Sequence, residues 1–152
     1  MSDAGGTWFT AFVEAGASDY SNNVLYASET TPEQWRLEEA LTGALAGDGD
    51  VARAGNAYLD RLRREPQRSF HFGIRYPTLD ALEATLAEVD AAGRDGPDLA
   101  GRVAVTGVFR SGDPGAITDI MVQAFVRTDV VATGLLAFGQ HVELQWQLPA
   151  DR

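Results

Sequence analysis

The chain has 152 residues, a length typical of one domain, and 45% of them are hydrophobic, so it can bury a substantial core. It contains no cysteine, which excludes disulfide scaffolds, thiol catalysis and cysteine-ligated zinc. A formal net charge of −10 repels a phosphate backbone and argues against nucleic acid as a partner. No apolar run approaches the length of a membrane span and the first residues lack the features of a signal peptide, so we expect a cytoplasmic protein without membrane contact.

The N-terminal segment, residues 1–68, is predicted to contribute one strand and two helices. Residues 8–15 are rich in aromatic and β-branched types, which favour a strand, and residues 24–27 indicate a second, short one. Thr31 and Pro32 suit a helix start, and a second helix is expected after Gly49. The faces expected to be buried are made by Leu37, Leu41, Ala44 and Leu45 in the first helix, and by Val51, Ala54, Tyr58 and Leu62 in the second.

Residues 69–148 have the order strand, helix, strand, strand, strand. Apolar residues alternate with polar ones around residues 70–76 and 141–148, a helix is predicted over 79–92, and further strands over 103–110 and around 121–126. We therefore predict a single α+β domain, 1–152, with a curved, mostly antiparallel four-stranded βαβββ sheet covered by that helix, and with the N-terminal strand at an edge. A ferredoxin-like or dimeric α+β-barrel fold is the alternative, but it requires a second helix among the last strands.

The two histidines of the chain both fall on the polar side of a predicted strand. Alternation places His141 and Glu143 on one face of the last strand, and His71 on the polar face of the first. If those strands are neighbours, the three side chains form a set suited to Fe(II), Mn(II), Ni(II) or Zn(II), with Arg75 and Gln145 as contacts to a bound substrate. The alternative is that they are ordinary, partly exposed strand residues without a ligand.

Two sequence runs resemble parts of a known module. His-Phe-Gly-Ile-Arg-Tyr-Pro-Thr-Leu-Asp-Ala-Leu at 71–82 and His-Val-Glu-Leu-Gln at 141–145 are similar to the first and last strands of a βαβββ module of the vicinal oxygen chelate superfamily. That superfamily includes glyoxalase I, extradiol dioxygenases and bleomycin-resistance proteins. The resemblance covers about half of the chain, and residues 1–68 do not repeat it. It implies that His71 and Glu143 are metal ligands and catalytic residues.

The resemblance also implies a class of function. We expect a protein that binds a small oxygenated or aromatic molecule, either as a divalent-metal-dependent lyase, isomerase or dioxygenase, or as a metal-free sequestration protein. A different class is an acidic immunity or regulatory protein with a basic protein partner, because the charge of −10 would speed that association.

A homodimer is expected because a complete barrel of the family has two modules and only one is recognisable here. The aromatic residues Phe125, Phe138 and Trp146 are expected to leave apolar area that a second copy would cover. The alternative is that the N-terminal helices fold over the concave face of the sheet.

Overall fold

The computed structural model of the chain describes residues 8–12, 24–132 and 134–148. The α+β class is confirmed. The strands are β1 (Trp8–Phe12), β2 (Val24–Ser28), β3 (His71–Arg75), β4 (Val103–Phe109), β5 (Met121–Thr128) and β6 (Gln140–Gln147). The helices are α1 (Pro32–Ala46), α2 (Asp50–Arg64) and α3 (Leu79–Asp95), with two short 3₁₀ turns, η1 (Pro66–Arg68) and η2 (Leu136–Phe138).

Four strands form one sheet in the order β3-β6-β5-β4, which confirms the mostly antiparallel four-stranded sheet. The first and last strands of the module, β3 and β6, are parallel neighbours, and the other two pairings are antiparallel. The edge position expected for the N-terminal strand is wrong: β1 pairs with β2 in a separate two-stranded antiparallel sheet. Pairing two strands that are close along the chain costs less loop-closure entropy than joining β1 to a distant edge.

Helix α3 covers one face of the sheet and forms the main core with it. Thr78 caps the helix by accepting a hydrogen bond from the backbone N–H of Ala81 at 3.1 Å. Leu82 and Leu86 are buried against apolar residues of β5 and β6, including Leu144. Over the described residues between 110 and 148 the structure has η2 but no α-helix, which disfavours the ferredoxin-like alternative. In the part of the chain described, no helix combines the length and apolar character required to cross a bilayer.

The buried face of α2 differs from the expected one. Leu62 is buried as expected, but Val51 is exposed and Ala52 is buried instead. Small residues face α1 because the two helices approach closely: a Cβ on Gly55 would lie 2.1 Å from Cδ2 of Leu45. The apolar spacing of the sequence predicts burial of the larger side chains. Where α2 lies closest to α1, however, only small residues fit.

The buried face of α1 also differs from the expected one, because it includes Glu38. Leu37 is about half exposed, at 48%, while Glu38 is buried at 4%. The Glu38 carboxylate accepts hydrogen bonds from the backbone N–H groups of Leu136 at 2.9 Å and Ala137 at 2.8 Å. A charged side chain therefore joins α1 to η2, since its two oxygens satisfy two N–H donors that no helical carbonyl reaches.

Replacing this carboxylate should destabilise the fold. We expect Glu38→Gln to lower the free energy of unfolding by about 1–2 kcal/mol, because the neutral amide retains one acceptor and loses the charge-assisted bond. Urea denaturation measures the difference, and the exposed neighbour Glu39→Gln is the matched control. Equal stability of the two variants would contradict the assigned role.

Candidate functional site

The sheet face opposite α3 carries most of the polar side chains predicted to form a site. We call it the polar face. Strand register places His71 beside His141, Arg75 beside Gln145, and Phe125 beside Glu143. The polar face is thus defined by His71, Arg75, Gln123, Phe125, Arg127, His141, Glu143 and Gln145.

Phe125 lies at the centre of the polar face and is fully buried. Its ring makes edge contacts with the rings of His71, with centroids 5.4 Å apart, and of His141, at 6.4 Å. Phe109 of β4 contacts it from the other side at 5.9 Å. Both histidine rings are therefore held against one aromatic side chain.

Each oxygen of the buried Glu143 carboxylate lies next to a polar side chain. Gln123 donates its side-chain N–H to Oε1 at 2.6 Å, and Nε2 of His71 lies 3.2 Å from Oε2. Gln123 brings no charge to the Glu143 carboxylate, because a glutamine amide is neutral. Whether a positive charge lies next to the carboxylate therefore depends on the protonation of His71.

The tautomer of His71 follows from its second nitrogen. Nδ1 lies 2.8 Å from the backbone carbonyl oxygen of Ser69, and a carbonyl can only accept, so Nδ1 carries a proton. Nε2 then has a free lone pair in the neutral ring, or a proton that pairs with the Glu143 carboxylate in the charged ring. His71 and Glu143 can therefore exchange a proton or share a ligand.

The His71–Glu143 pair joins the edge strand β3 to its neighbour β6, with 23% of the His71 side chain and 10% of the Glu143 side chain exposed. Gly73 stands directly opposite Glu143 in the neighbouring strand, and it is exposed. A Cβ at Gly73 would lie 3.2 Å from Nε2 of Gln145 and 3.5 Å from Oε2 of Glu143. The side chains of partly buried Gln145 and buried Glu143 therefore lie close over Gly73, and exposed Arg75 follows two residues later in β3. The five residues predicted to bind metal or substrate thus all lie on the polar face.

His141 differs from His71 in its surroundings. It is 6% exposed, and its Nδ1 has no hydrogen-bond partner among the described residues. Burial lowers the pKa of His141, and the charges of His71 and Arg127 lower it further. Within the described ranges no group of three or more His, Asp or Glu side chains is arranged to hold a metal ion, so the three-ligand set remains a prediction.

A pocket of about 260 Å³ lies where α2 and η2 meet the ends of β5 and β6. His71 and Glu143 are not in its wall. Sequence reasoning missed this pocket because its wall comes from three separated segments of the chain, residues 59–63, 127–129 and 136–141. The wall includes Leu59 and Leu62 of α2, Leu136 and Phe138 of η2, and Arg127 and His141 of the strands.

Two further features of the polar face were not predicted. Gln123 is buried next to Phe125 on the same strand face, and Ser69 supplies the carbonyl that orients His71. A polar residue at 123 inside the apolar run of β5 was the available signal for the first. The second is a backbone contact without a side-chain pattern.

The chain has no recognisable relative in the comparisons made: its sequence matches no family model and no curated protein, and its fold matches no solved structure.

Protonation of His141 should destabilise the folded chain. Because its pKa is lowered by folding, the unfolded chain binds the proton first as the pH falls below the ordinary value of 6.5. The free energy of unfolding should therefore fall between about pH 7.5 and about pH 5.5, and His141→Phe should lose less over that interval. Urea denaturation at both pH values measures this, and an unchanged pH dependence in the variant would contradict the lowered pKa.

Proposed function

We propose that this chain is a small-molecule-binding protein of the vicinal oxygen chelate type, which holds an oxygenated ligand at the His71–Glu143 pair. The observation that carries the proposal is the contact of 3.2 Å between these two side chains, which come from the first and last strands of one βαβββ module. The parallel pairing of β3 with β6 brings together the two residues that the resemblance marks as functional.

The pair is suited to ligands with hydroxyl or carbonyl groups. A neutral His71 can accept a hydroxyl proton at Nε2, and a protonated His71 can donate to a carbonyl oxygen. Glu143 stabilises the charged ring, so the pair can hold a proton taken from the ligand. Arg75 and Gln145 are paired in register next to Gly73 and Glu143, and they can supply a positive charge and an amide to the rest of the ligand.

A divalent metal is the second candidate for this site. The hydrogen bond from Nδ1 of His71 to a backbone carbonyl is the orienting contact that metal-ligating histidines ordinarily make. One chain, however, brings only His71 and Glu143 into contact, which is too few ligands for a divalent ion. Two copies would supply two such pairs, so we propose that a metal binds here only in a homodimer, where it would act as a Lewis acid on ligand oxygens.

Metal binding and dimerisation should therefore occur together. Protein purified without a histidine tag should have a mass near 16.3 kDa by light scattering after chelator treatment, and about twice that mass with Mn²⁺, Ni²⁺ or Zn²⁺. His71→Ala and Glu143→Gln should abolish both the mass change and the thermal stabilisation by the ion. Glu88→Gln, on α3 at the other face of the sheet, is the control.

Two results would overturn the metal candidate. A metal bound tightly by a species that stays near 16.3 kDa would contradict a site shared between copies. No binding of any of these ions would leave the metal-free function.

The metal-free function has its own test with catechol as probe. The two histidines give two separable ring signals in NMR spectra, and catechol should shift the signal of His71 in a saturable manner. Glu143→Gln should weaken this response about tenfold, because it removes the carboxylate that stabilises a proton on His71. If neither catechol nor a divalent ion perturbs His71, the proposed function is wrong, and the prediction of a basic protein partner becomes the one to pursue.

A further inference from the structure

The pocket between α2, η2 and the ends of β5 and β6 is a second concave site, separate from the His71–Glu143 pair. Its apolar wall is made by Leu59 and Leu62 of α2 and by Phe138 of η2, whose ring meets the ring of Tyr58 edge-on with centroids 6.0 Å apart. Glu38 holds η2 in place through the backbone of Leu136. The pocket therefore has a wall of aromatic and aliphatic side chains that is held in place by contacts within the fold.

The charges around the pocket favour an anion, although the whole chain is acidic. Arg63, Arg127 and Asp129 line it, so the local formal charge is positive. Arg63 is paired with Asp60 at 2.6 Å, and Asp129 with Arg102 at 2.9 Å. Arg127 has no ion pair with any carboxylate of the described residues, and its charge is therefore available to a ligand.

His141 also lines the pocket and is buried, with 6% of the residue exposed. It faces Arg127 directly across the strand pair, and its buried Nδ1 lacks a hydrogen-bond partner within the described part of the chain. A neutral imidazole ring carries one N–H group, which can donate to a carboxylate. Arg127 and His141 thus present a cation and a hydrogen-bonding ring side by side.

We propose that this pocket binds a small carboxylate with an apolar body. The carboxylate pairs with Arg127 and accepts a hydrogen bond from the ring of His141, while the apolar body lies against Leu59 and Phe138. A volume of about 260 Å³ is slightly below the range usual for drug-sized ligands, which limits the ligand to roughly ten to twelve heavy atoms. Arylalkanoates of the size of 3-phenylpropionate have this chemistry.

The test uses the full chain and three probes that separate charge from apolar area: 3-phenylpropionate, its neutral alcohol 3-phenylpropanol, and acetate. Titration of each into the protein is followed by the ring signals of the two histidines, which His71→Gln assigns. Only 3-phenylpropionate should shift the His141 signal in a saturable manner. Arg127→Gln should weaken its binding about tenfold, because it removes a charge-assisted bond at an exposed residue without disturbing the core.

Arg94→Gln removes the same charge from the end of α3, on the other side of the sheet, and should bind 3-phenylpropionate as the unaltered chain does. Phe138→Ala should weaken the binding of 3-phenylpropionate, and acetate should not bind to this variant either. The proposal is overturned if no saturable shift of His141 appears up to about 20 mM probe, if 3-phenylpropanol binds equally well, or if Arg127→Gln has no effect beyond that of Arg94→Gln. A response of His71 alone would also overturn it, since that residue belongs to the other site.

Discussion

The carboxylate of Glu143 constrains the whole polar face. It is buried in β6, where a charge without partners would cost several kcal/mol, so both of its oxygens must be satisfied. Gln123 does this from β5 on one side and His71 from β3 on the other. Only a sheet in which β6 lies between β3 and β5 allows both contacts, and that is the strand order of the structure. The contacts of this buried carboxylate thus depend on the strand order of the sheet, and the strand order is in turn stabilised by these contacts.

The polar face has two different ends because the N-terminal helices cover only part of it. At the edge strand β3, Gly73 and Arg75 are exposed, and His71 is partly exposed. At the His141 end, Leu62 of α2 is buried, and α2 and η2 form a partly apolar wall. The strand residues of the polar face thereby contribute both to the His71–Glu143 pair at the sheet edge and to a pocket with partly apolar sides.

This covering changes the physical reason for a homodimer. Phe125 is fully buried within one chain, Phe138 contacts Tyr58 of α2, and Trp146 packs against the core beneath α3. The aromatic area that was expected to require a second copy is therefore covered without one. The proposed homodimer therefore rests on the shortage of metal ligands in the described residues of one chain rather than on these three aromatic residues.

Local patterns determined a large part of this structure. Alternation in β3 and β6 predicts which residues face α3 and which form the polar face, because side chains change sides at every strand residue. Capping residues such as Thr78 predict where α3 begins, since the capping bond is made within one turn. The candidate residues His71, Arg75, His141, Glu143 and Gln145 were identified from these patterns alone.

Contacts between distant segments were decided only by the tertiary structure. Alternation does not say that β6 is the neighbour of β3, so the contact between His71 and Glu143 was conditional until the strand order was known. Glu38 was not expected inside the fold, because the N–H groups it accepts from lie almost a hundred residues further along the chain. The covering of the sheet by α2 and the burial of His141 also depend on contacts between distant segments. Side-chain periodicity is a property of one segment, whereas burial and pairing depend on which segments meet.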